Sequence, residues 1–471
     1  PEDASDAEAE DSGTGGLMAS EVMDGSETQI TTLKLPATAD DSFIAGDGKY
    51  WAFWLSSLKK VALVDITTRE IARYISIPSS NALVTAGASQ LIAYMPDNEI
   101  FVSFDLETGE KLETRLKQFQ GVVKNIGMGS ASEGPLIVCS TQGSSPLDRG
   151  GFSIVDTDKF KQTELKWDGR EPMVSYRDNI HLRVSPDGKV FTWFQSGVSP
   201  SGVNSVVLNR STAKYYRLHT SNGYVHPASY DDLILTGTGV LYTPELTHKT
   251  NTNARRNAML PAYNGPYFLE FIFSNNRADK MVKMNVCQFD DQSVLTTIAV
   301  PNAPYSDRVR FASDYDKRYY FSMNDGVIAW LANDNREVCF MDFDLFKELD
   351  KQGTPYLIVT STPPAKANIG ETIRYQIVAK SNEDPIQYRL DSSPAGMTIS
   401  PSGLVDWTVP ADAPQRASVI ITVSNAGGEA IFHTFDINIA GSQSSQIPGI
   451  VRSSSANASS GSSNTGIERF E

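Results

Sequence analysis

HLRVSPDGKVFTWF, residues 181–194, reads as a strand, a tight turn and a second strand. Leu182 and Val184 precede the turn, Asp187-Gly188 supplies the residues that adopt positive φ without strain, and Val190 to Phe194 is an apolar run of strand length. The same sequence of events recurs along residues 43–346. Turns fall at Asp47-Gly48, Ala88-Ser89, Glu133-Gly134, Asp187-Gly188, Asp231-Asp232, Asn264-Gly265 and Tyr315-Asp316, spaced 41, 45, 54, 44, 33 and 51 residues apart. Each is followed by apolar residues: Tyr50 to Trp54, Leu91 to Tyr94, Leu136 to Val138, Val190 to Phe194, Leu233 to Leu235, Tyr267 to Phe271 and Tyr319 to Phe321.

A further strand follows in each unit. It is clear in VALVDITTREI (61–71), IFVSFDLETGEKL (100–112) and FSIVDTDKFKQTEL (152–165), and looser in SVVLNRSTAKYYRL (205–218), TGVLYTPEL (238–246), KMNVCQFDDQSVLTTI (283–298) and EVCFMDFDL (337–345). Asp65, Asp105 and Asp156 end the clear copies, where a carboxylate is placed to cap the next turn. A sheet built from roughly 40–45 residues cannot bury both faces alone, whereas radial stacking buries each face against a neighbour. The period therefore predicts an all-β protein whose main body is a seven-bladed β-propeller, counted to within one blade. The alternating segment Gln29 to Leu35 is placed to complete the last blade and close the ring, and 243–262 reads as an irregular insertion between units five and six.

The SPDGK element of 185–189 and the repeats in phase with it resemble the WD40-like propellers of bacteria, without the paired Gly-His and Trp-Asp landmarks of true WD40 repeats. Residues 355–440 carry a different pattern, with short strands expected at Tyr356–Ser361, Thr372–Ala379, Ile386–Leu390, Met397–Ile399, Leu404–Trp407, Ser418–Ser424 and Ile431–Ile439. Within it stand Gly370-Glu371, Tyr375, Leu390, Pro394-Ala395-Gly396-Met397, Ile399, Gly403-Leu404 and Trp407. That order resembles the Ig and dystroglycan-type cadherin-like domains of bacterial surface proteins and implies an Ig-like β-sandwich. The domain reading is thus an acidic disordered linker over 1–27, the propeller over 28–350, the sandwich over 355–440 and a Ser-rich disordered tail over 441–471.

Nine of the fifteen net negative charges lie in residues 1–27, which hold no Lys or Arg. Neither that segment nor the mildly acidic remainder suits a phosphate backbone, so nucleic acid is not an expected partner. No apolar run is long enough to span a membrane as a helix. The start at Pro1 and the Ser-rich end, Ser442 to Ser463, read as linkers of a processed chain or fragment; acidic and Ser-rich linkers fit a protein extended from a cell envelope, so an extracytoplasmic location is the expectation, with an anchor in a segment outside this chain as one option.

The search for chemistry yields no catalytic, cofactor-binding or metal-ligating set. His181, His219, His226, His248 and His433 fall in no metal spacing, and Cys139, Cys287 and Cys339 read as buried thiols, with one disulfide as the alternative. His433 reads as a core residue of the sandwich. His226 is the histidine nearest acidic turn residues, Asp231 and Asp232, and is the one candidate for channel chemistry. Glu371, Glu383, Asp384 and Asp412 are the cadherin-like Ca²⁺ candidates, read as solvated turn carboxylates. GMGSASEG (127–134) and Gly143-Ser144-Ser145 are loops without nucleophile-elbow or phosphate-loop spacing. The tryptophans Trp51, Trp54, Trp167, Trp193 and Trp330 suit packing between sheets, and Arg255-Arg256 is an exposed basic pair in the insertion. The expectation is a non-enzymatic binding or scaffold protein, with protein partners at propeller loops and the Ig-like domain as spacer or adhesion module; a glycan or other cell-surface ligand is the alternative partner. The competing classes are a propeller-channel enzyme of hydrolase, lyase or quinoprotein type, and a structural subunit of a surface layer or filament.

Overall fold

The computed structural model describes residues 30–119, 121–141, 149–157, 159–163, 165–175, 179–209, 212–249, 257–272, 281–301, 314–364 and 366–440, with the short pieces 22–23 and 454–457. Seven small sheets form the larger body. Blade 1 comprises Asp41–Ala45, Tyr50–Leu55, Lys60–Asp65 and Glu70–Ser76; blade 2 comprises Leu83–Ala86, Gln90–Met95, Ile100–Asp105 and Lys111–Leu116. Blades 3, 4 and 6 start from the inner strands Val122–Gly127, Asn179–Val184 and Met259–Pro261, and blade 5 has three strands, Val225–Pro227, Ile234–Thr236 and Leu241–Tyr242. Blade 7 holds Tyr319–Ser322, Val327–Leu331 and Glu337–Asp342, and its outermost strand is Ile30–Lys34, antiparallel to Glu337–Met341. The ring is therefore closed by the segment read for that purpose in the sequence.

The cores lie between the blades, as radial stacking requires. Trp51 and Phe53 of blade 1 pack with Tyr320 and Phe340 of blade 7; Tyr50, Trp54 and Leu63 of blade 1 pack on the opposite side with Leu91 and Phe104 of blade 2. Trp193 of blade 4 packs with Phe152 and Ile154 of blade 3. Trp51, Trp54, Trp193 and Trp330 are buried. The capping carboxylates act as expected: Asp65 Oδ1 accepts from the amides of Thr67 and Thr68, Asp105 Oδ1 from Thr108, and Asp156 Oδ1 from Lys159, at 2.7–3.0 Å. In the SPDGK turn, Asp187 Oδ1 accepts from the Lys189 amide at 3.0 Å, and Gly188 at φ +78° approaches Ser132 too closely to admit a side chain.

The phase of the sequence reading needs three corrections. Elsewhere than at 181–184 the unit was read from the first turn onward, so the inner strand that precedes the turn was passed over; it lines the axis and lacks the uniform apolar pattern of the strands behind it. In blade 7 the first turn is Asn324–Gly326, whereas Tyr315-Asp316 belongs to a 3-10 turn, Tyr315–Arg318, leading into the inner strand Tyr319–Ser322. Part of the supposed insertion 243–262, Met259–Pro261, is the inner strand of blade 6; Arg255-Arg256 and Gly143-Ser144-Ser145 lie outside the described residues.

A short helix, Leu345–Gln352, capped by the Asp344 carboxylate and ended by Gly353 at φ +64°, leads into the sandwich. One sheet of the sandwich runs Lys366–Asn368, Ala430–Ala440, Arg416–Ser424, Gln387–Ser392; the facing sheet runs Thr372–Gln376, Leu404–Thr408, Thr398–Ile399. Alternation along Arg416–Ser424 sends Ala417, Val419, Ile421 and Val423 inward against Trp407, whose Nε1 donates to Ala395 O at 3.1 Å. Lys366–Asn368, too short to show a period, was not read from sequence, and the long expected strand 372–379 divides into Thr372–Gln376 and Ala379–Ser381. Two short pieces of the terminal segments pair with sheet edges. Val22–Met23, inside the acidic segment 1–27, pairs in parallel with Thr297–Ile298, and Ser454–Asn457, inside the Ser-rich tail, pairs with Ile431–Thr434. In both cases an open sheet edge offers main-chain partners irrespective of side-chain polarity. The rest of both tails lies outside the described residues. No described helix is long and apolar enough to cross a membrane. Cys139, Cys287 and Cys339 are buried and joined in no disulfide among the described residues.

Candidate functional site

The seven inner strands surround a cavity of about 370 Å³ on the propeller axis. Because each blade is an antiparallel meander, the turns after the first and third strands lie at one end of this channel, and those after the second and fourth lie at the other. The two ends are built differently.

At the end marked by the first turns sits the sandwich. Asn324 Nδ2 in the blade 7 turn donates to Thr360 O at 2.8 Å, and Lys366 Nζ lies 3.4 Å from Glu133 Oε2 in the blade 3 turn. A small cleft is walled jointly by Ser229, Tyr230, Asn264 and Gly265 of the propeller and by Val359–Thr362 and His433 of the sandwich. The floor of the channel here is polar and buried: Tyr263 Oη donates to Asp47 Oδ1 at 3.1 Å and bonds Ser130 Oγ at 2.9 Å, and Tyr320 Oη donates to Gly48 O at 3.0 Å. Gly48 is at φ +86°, and a Cβ there would come 2.4 Å from the Tyr263 ring. Burial raises the Asp47 carboxyl above its ordinary range, against the opposing hydrogen bonds from Thr362 and Tyr263.

At the other end, residues 314–318 reach across the axis before entering blade 7. Lys317 Nζ contacts Asp41 Oδ1 of blade 1 at 2.6 Å, and Ser42 Oγ donates to Lys317 O at 2.5 Å. Asp316 contacts blades 4 and 5. Its carboxylate accepts two parallel bonds from Arg183, Nε to Oδ2 at 2.7 Å and Nη2 to Oδ1 at 2.8 Å, and a third from His226 Nδ1 at 2.9 Å. Arg183 Nη1 donates to Leu182 O at 3.0 Å, and Nη2 also lies 3.3 Å from Asp314. His181, stacked on Phe194, bridges Asp314 at 3.3 Å and Ser196 Oγ at 2.9 Å. Burial of Asp316 would raise its pKa, but the Arg183 charge and the hydrogen bonds from Arg183 and His226 outweigh that and hold the carboxyl well below the usual range. Arg183 is correspondingly held above its ordinary value by Asp316 despite burial.

His226 thus faces the cavity as the sequence suggested, but its carboxylate is Asp316, not Asp231 or Asp232. Asp316 is 90 residues away along the chain, and only closure of the ring brings it near. Arg183 and Asp316 were not read as site residues. Arg183 did carry a signal, a charged residue in an otherwise apolar strand of HLRVSPDGK. His433 is a core residue as read: 3% exposed, it bonds Tyr375 Oη at 3.0 Å, and burial lowers its pKa to about 4. Glu371 Oε2 accepts from the Asn368 amide at 2.8 Å, a turn carboxylate. Among the described residues no group of three or more His, Cys, Asp or Glu side chains could hold a metal ion.

Comparison with known proteins bears on the fold. The "Putative Ig domain" family model matches residues 355–440. No functionally curated protein matches the sequence. Among solved structures the chain is similar to the β-propeller domain of Cps50 (Swd1) from Myceliophthora thermophila, at 9% identity and TM-score 0.39, covering 66% of this chain and 98% of that one. It is similar to U3-55K at 8% identity and TM-score 0.44, covering 67% and 98%, and to a gluconolactonase from Xanthomonas campestris at 8% identity and TM-score 0.37, covering 67% and 90%. Likenesses this distant carry nothing about activity. The chain is a β-propeller of seven blades joined to a C-terminal Ig-like domain.

Proposed function

We propose that this protein is a non-enzymatic binding protein of the cell envelope, whose propeller face opposite the sandwich is a platform for a protein partner. The observation that carries the reading is the distribution of exposed apolar side chains. Of the seven exposed large apolar side chains of the propeller among the described residues, five, Leu58, Leu116, Val122, Met173 and Val198, each 43–68% exposed, belong to loops or strand ends at the face away from the sandwich, while Tyr74 and Leu112 lie on outer strands. Apolar groups left in water on one face of a rigid ring are what a partner would cover. The sandwich, docked on the first-turn face, is in this reading a support that closes one end of the channel, rather than a spacer holding the propeller away from its neighbours. The test is affinity capture from envelope extract with the wild-type chain and with a Leu116→Glu/Val198→Glu variant. A stoichiometric protein retained by the first and lost by the second supports the platform, particularly if Phe432→Glu on the sandwich retains it. Equal retention by all three variants rejects it.

A second reading, an enzyme of the channel, is favoured by one observation, the His226–Asp316 pair. A carboxylate-held imidazole is a competent general base. Against it, His226 hydrogen-bonds no Ser, Thr or Cys nucleophile among the described residues, and Arg183 is engaged by Asp316, Asp314 and a main-chain carbonyl rather than aimed at a reacting group. Turnover of a model ester that disappears in His226→Phe would establish the enzyme reading; equal background rates would dismiss it for acyl transfer.

A further inference from the structure

The channel cavity has a property distinct from the open face. Its charges neutralise one another: Arg183 with Asp316, and Lys317 with Asp41 at 2.6 Å. What remains on the wall mixes aromatic and aliphatic side chains, including Trp51, Ile126, Met128, Leu260 and Phe321, with polar groups already engaged within the protein, Ser42 with the Lys317 carbonyl, Asn125 with the Ile180 carbonyl and Ser130 with Tyr263. A cavity of about 370 Å³ falls in the range of small-molecule pockets, roughly 300–1,000 Å³. Among the described residues its interior has no uncompensated charge to attract an ion, so the occupant that fits is neutral.

One polar group stands apart. The His226 ring lines the cavity with 29% of its side chain accessible. Nδ1 lies 2.9 Å from a carboxylate that is itself fully buried and held in two bonds by Arg183. An ionised carboxylate only accepts, so Nδ1 carries the proton, and in the neutral ring Nε2 is an acceptor. Nε2 has no partner among the described residues. The Arg183–Asp316–His226 chain, which links three blades, therefore presents one oriented acceptor in an apolar chamber.

We propose that the propeller channel is a binding site for a small, neutral, ring-bearing molecule whose hydroxyl donates a hydrogen bond to Nε2 of His226. The apolar walls take the ring by burial, and His226 selects the hydroxyl. The inference does not rest on the protein-platform reading. The platform is tested with outer-face variants and the channel with inner-strand variants, so each fails separately.

The test uses the full chain and two probes, 2-naphthol and 2-methoxynaphthalene, which share a ring system and differ in the donor. Binding is followed by calorimetry and by quenching of the tryptophan emission. Wild type is expected to bind the naphthol about tenfold more tightly than the ether, the discrimination of one buried hydrogen bond. His226→Phe is expected to bind both alike while melting within a few degrees of wild type. Leu260→Trp, which crowds the chamber wall from a side chain 3% exposed, is expected to lose both probes, with its folding checked by its melting temperature. The proposal is overturned if wild type binds neither probe at millimolar concentration, or shows no preference for the hydroxyl. It is equally overturned if the preference survives in His226→Phe, or if a folded Leu260→Trp binds as wild type does. Should His226→Phe fail to fold, the Leu260→Trp result and the wild-type discrimination decide the matter.

Discussion

The inner strands of the propeller and the strands directly behind them meet opposite demands. The second strands, such as Tyr50–Leu55 and Gln90–Met95, are buried at every position, because a neighbouring blade covers each face. The inner strands have blades on two sides but the channel along their free edge; those of blades 1 and 4, Asp41–Ala45 and Asn179–Val184, mix buried with more accessible positions, while those of blades 6 and 7 are buried throughout. The second strands can be satisfied by apolar volume alone. The inner strands carry polar groups into the confined channel, and they satisfy them by pairing them across the ring. Stability is thus supplied by two mechanisms a few ångströms apart, one by packing and one by charge compensation.

Two substitutions separate these mechanisms, and both have large expected effects. Trp193→Ala, on a second strand, removes a 1% exposed side chain packed on Phe152 and Tyr215 and should cost about 3–5 kcal/mol through the cavity it leaves. Arg183→Ala, on the adjacent inner strand, leaves Asp316 buried without its counter-ion and should cost a similar amount, about 3–5 kcal/mol. Denaturant unfolding distinguishes their causes. Removing the charge partner as well, in Arg183→Met/Asp316→Leu, should recover most of the loss, whereas no charge substitution rescues Trp193→Ala. A double variant as unstable as Arg183→Ala would show that Arg183 acts by packing, and the contrast between the two strand layers would collapse.

The same contrast decides what could be read from the sequence. Blade number, ring closure by Ile30–Lys34 and the capping roles of Asp65, Asp105 and Asp156 follow from period and turn chemistry, which are local. The Ig-like domain was legible for a related reason: Gly396, Gly403 and Trp407 serve one compact unit within a short stretch of chain. The channel was not. His226 and Asp316 meet only because blades 5 and 7 are held by the intervening ring, and no spacing rule connects residues 90 positions apart. Asp316 was even taken for a turn residue, since Tyr315-Asp316 precedes an apolar run as the true turns do. The channel is the place where local pattern and tertiary role diverge.

The sandwich extends the comparison to pH. Among its buried polar residues is His433, which unlike Asp316 has no counter-ion among the described residues, where Tyr375 bonds it. Burial lowers its pKa to about 4, below the ordinary value of 6.5, so between those limits the unfolded chain binds a proton that the folded domain does not. Stability from this group is complete above about pH 6.5 and declines as pH falls toward 4, by up to roughly 3 kcal/mol. The Asp316 carboxyl, held low, is lost only in stronger acid, below the ordinary Asp range. Melting monitored separately for the two domains should therefore show the sandwich weakening first on acidification, and His433→Gln should flatten its profile between pH 7 and 4. A wild-type sandwich whose stability is level across that interval would remove the distinction between compensated and uncompensated buried groups.

The smallest effect expected lies at the joint between the two bodies. Lys366 and Glu133 are 3.4 Å apart, with the lysine side chain 46% exposed and the glutamate 10%. Water screens the lysine, so Lys366→Ala should lower stability by only about 0.2–1 kcal/mol. Glu133 also accepts from Ser89 Oγ at 2.6 Å, so it keeps a partner when the lysine is gone. The seat of the sandwich is then carried by the other contacts across the joint, Asn324 to the Thr360 carbonyl at 2.8 Å and the Thr362 side chain to the Asp47 carboxylate. If those hold the domains together, Lys366→Ala leaves hydrogen exchange at the Thr360 strand and the Asp47 turn unchanged. Faster exchange at both would mean that one exposed ion pair anchors the sandwich, and that the closed end of the channel opens far more readily than its buried hydrogen bonds imply.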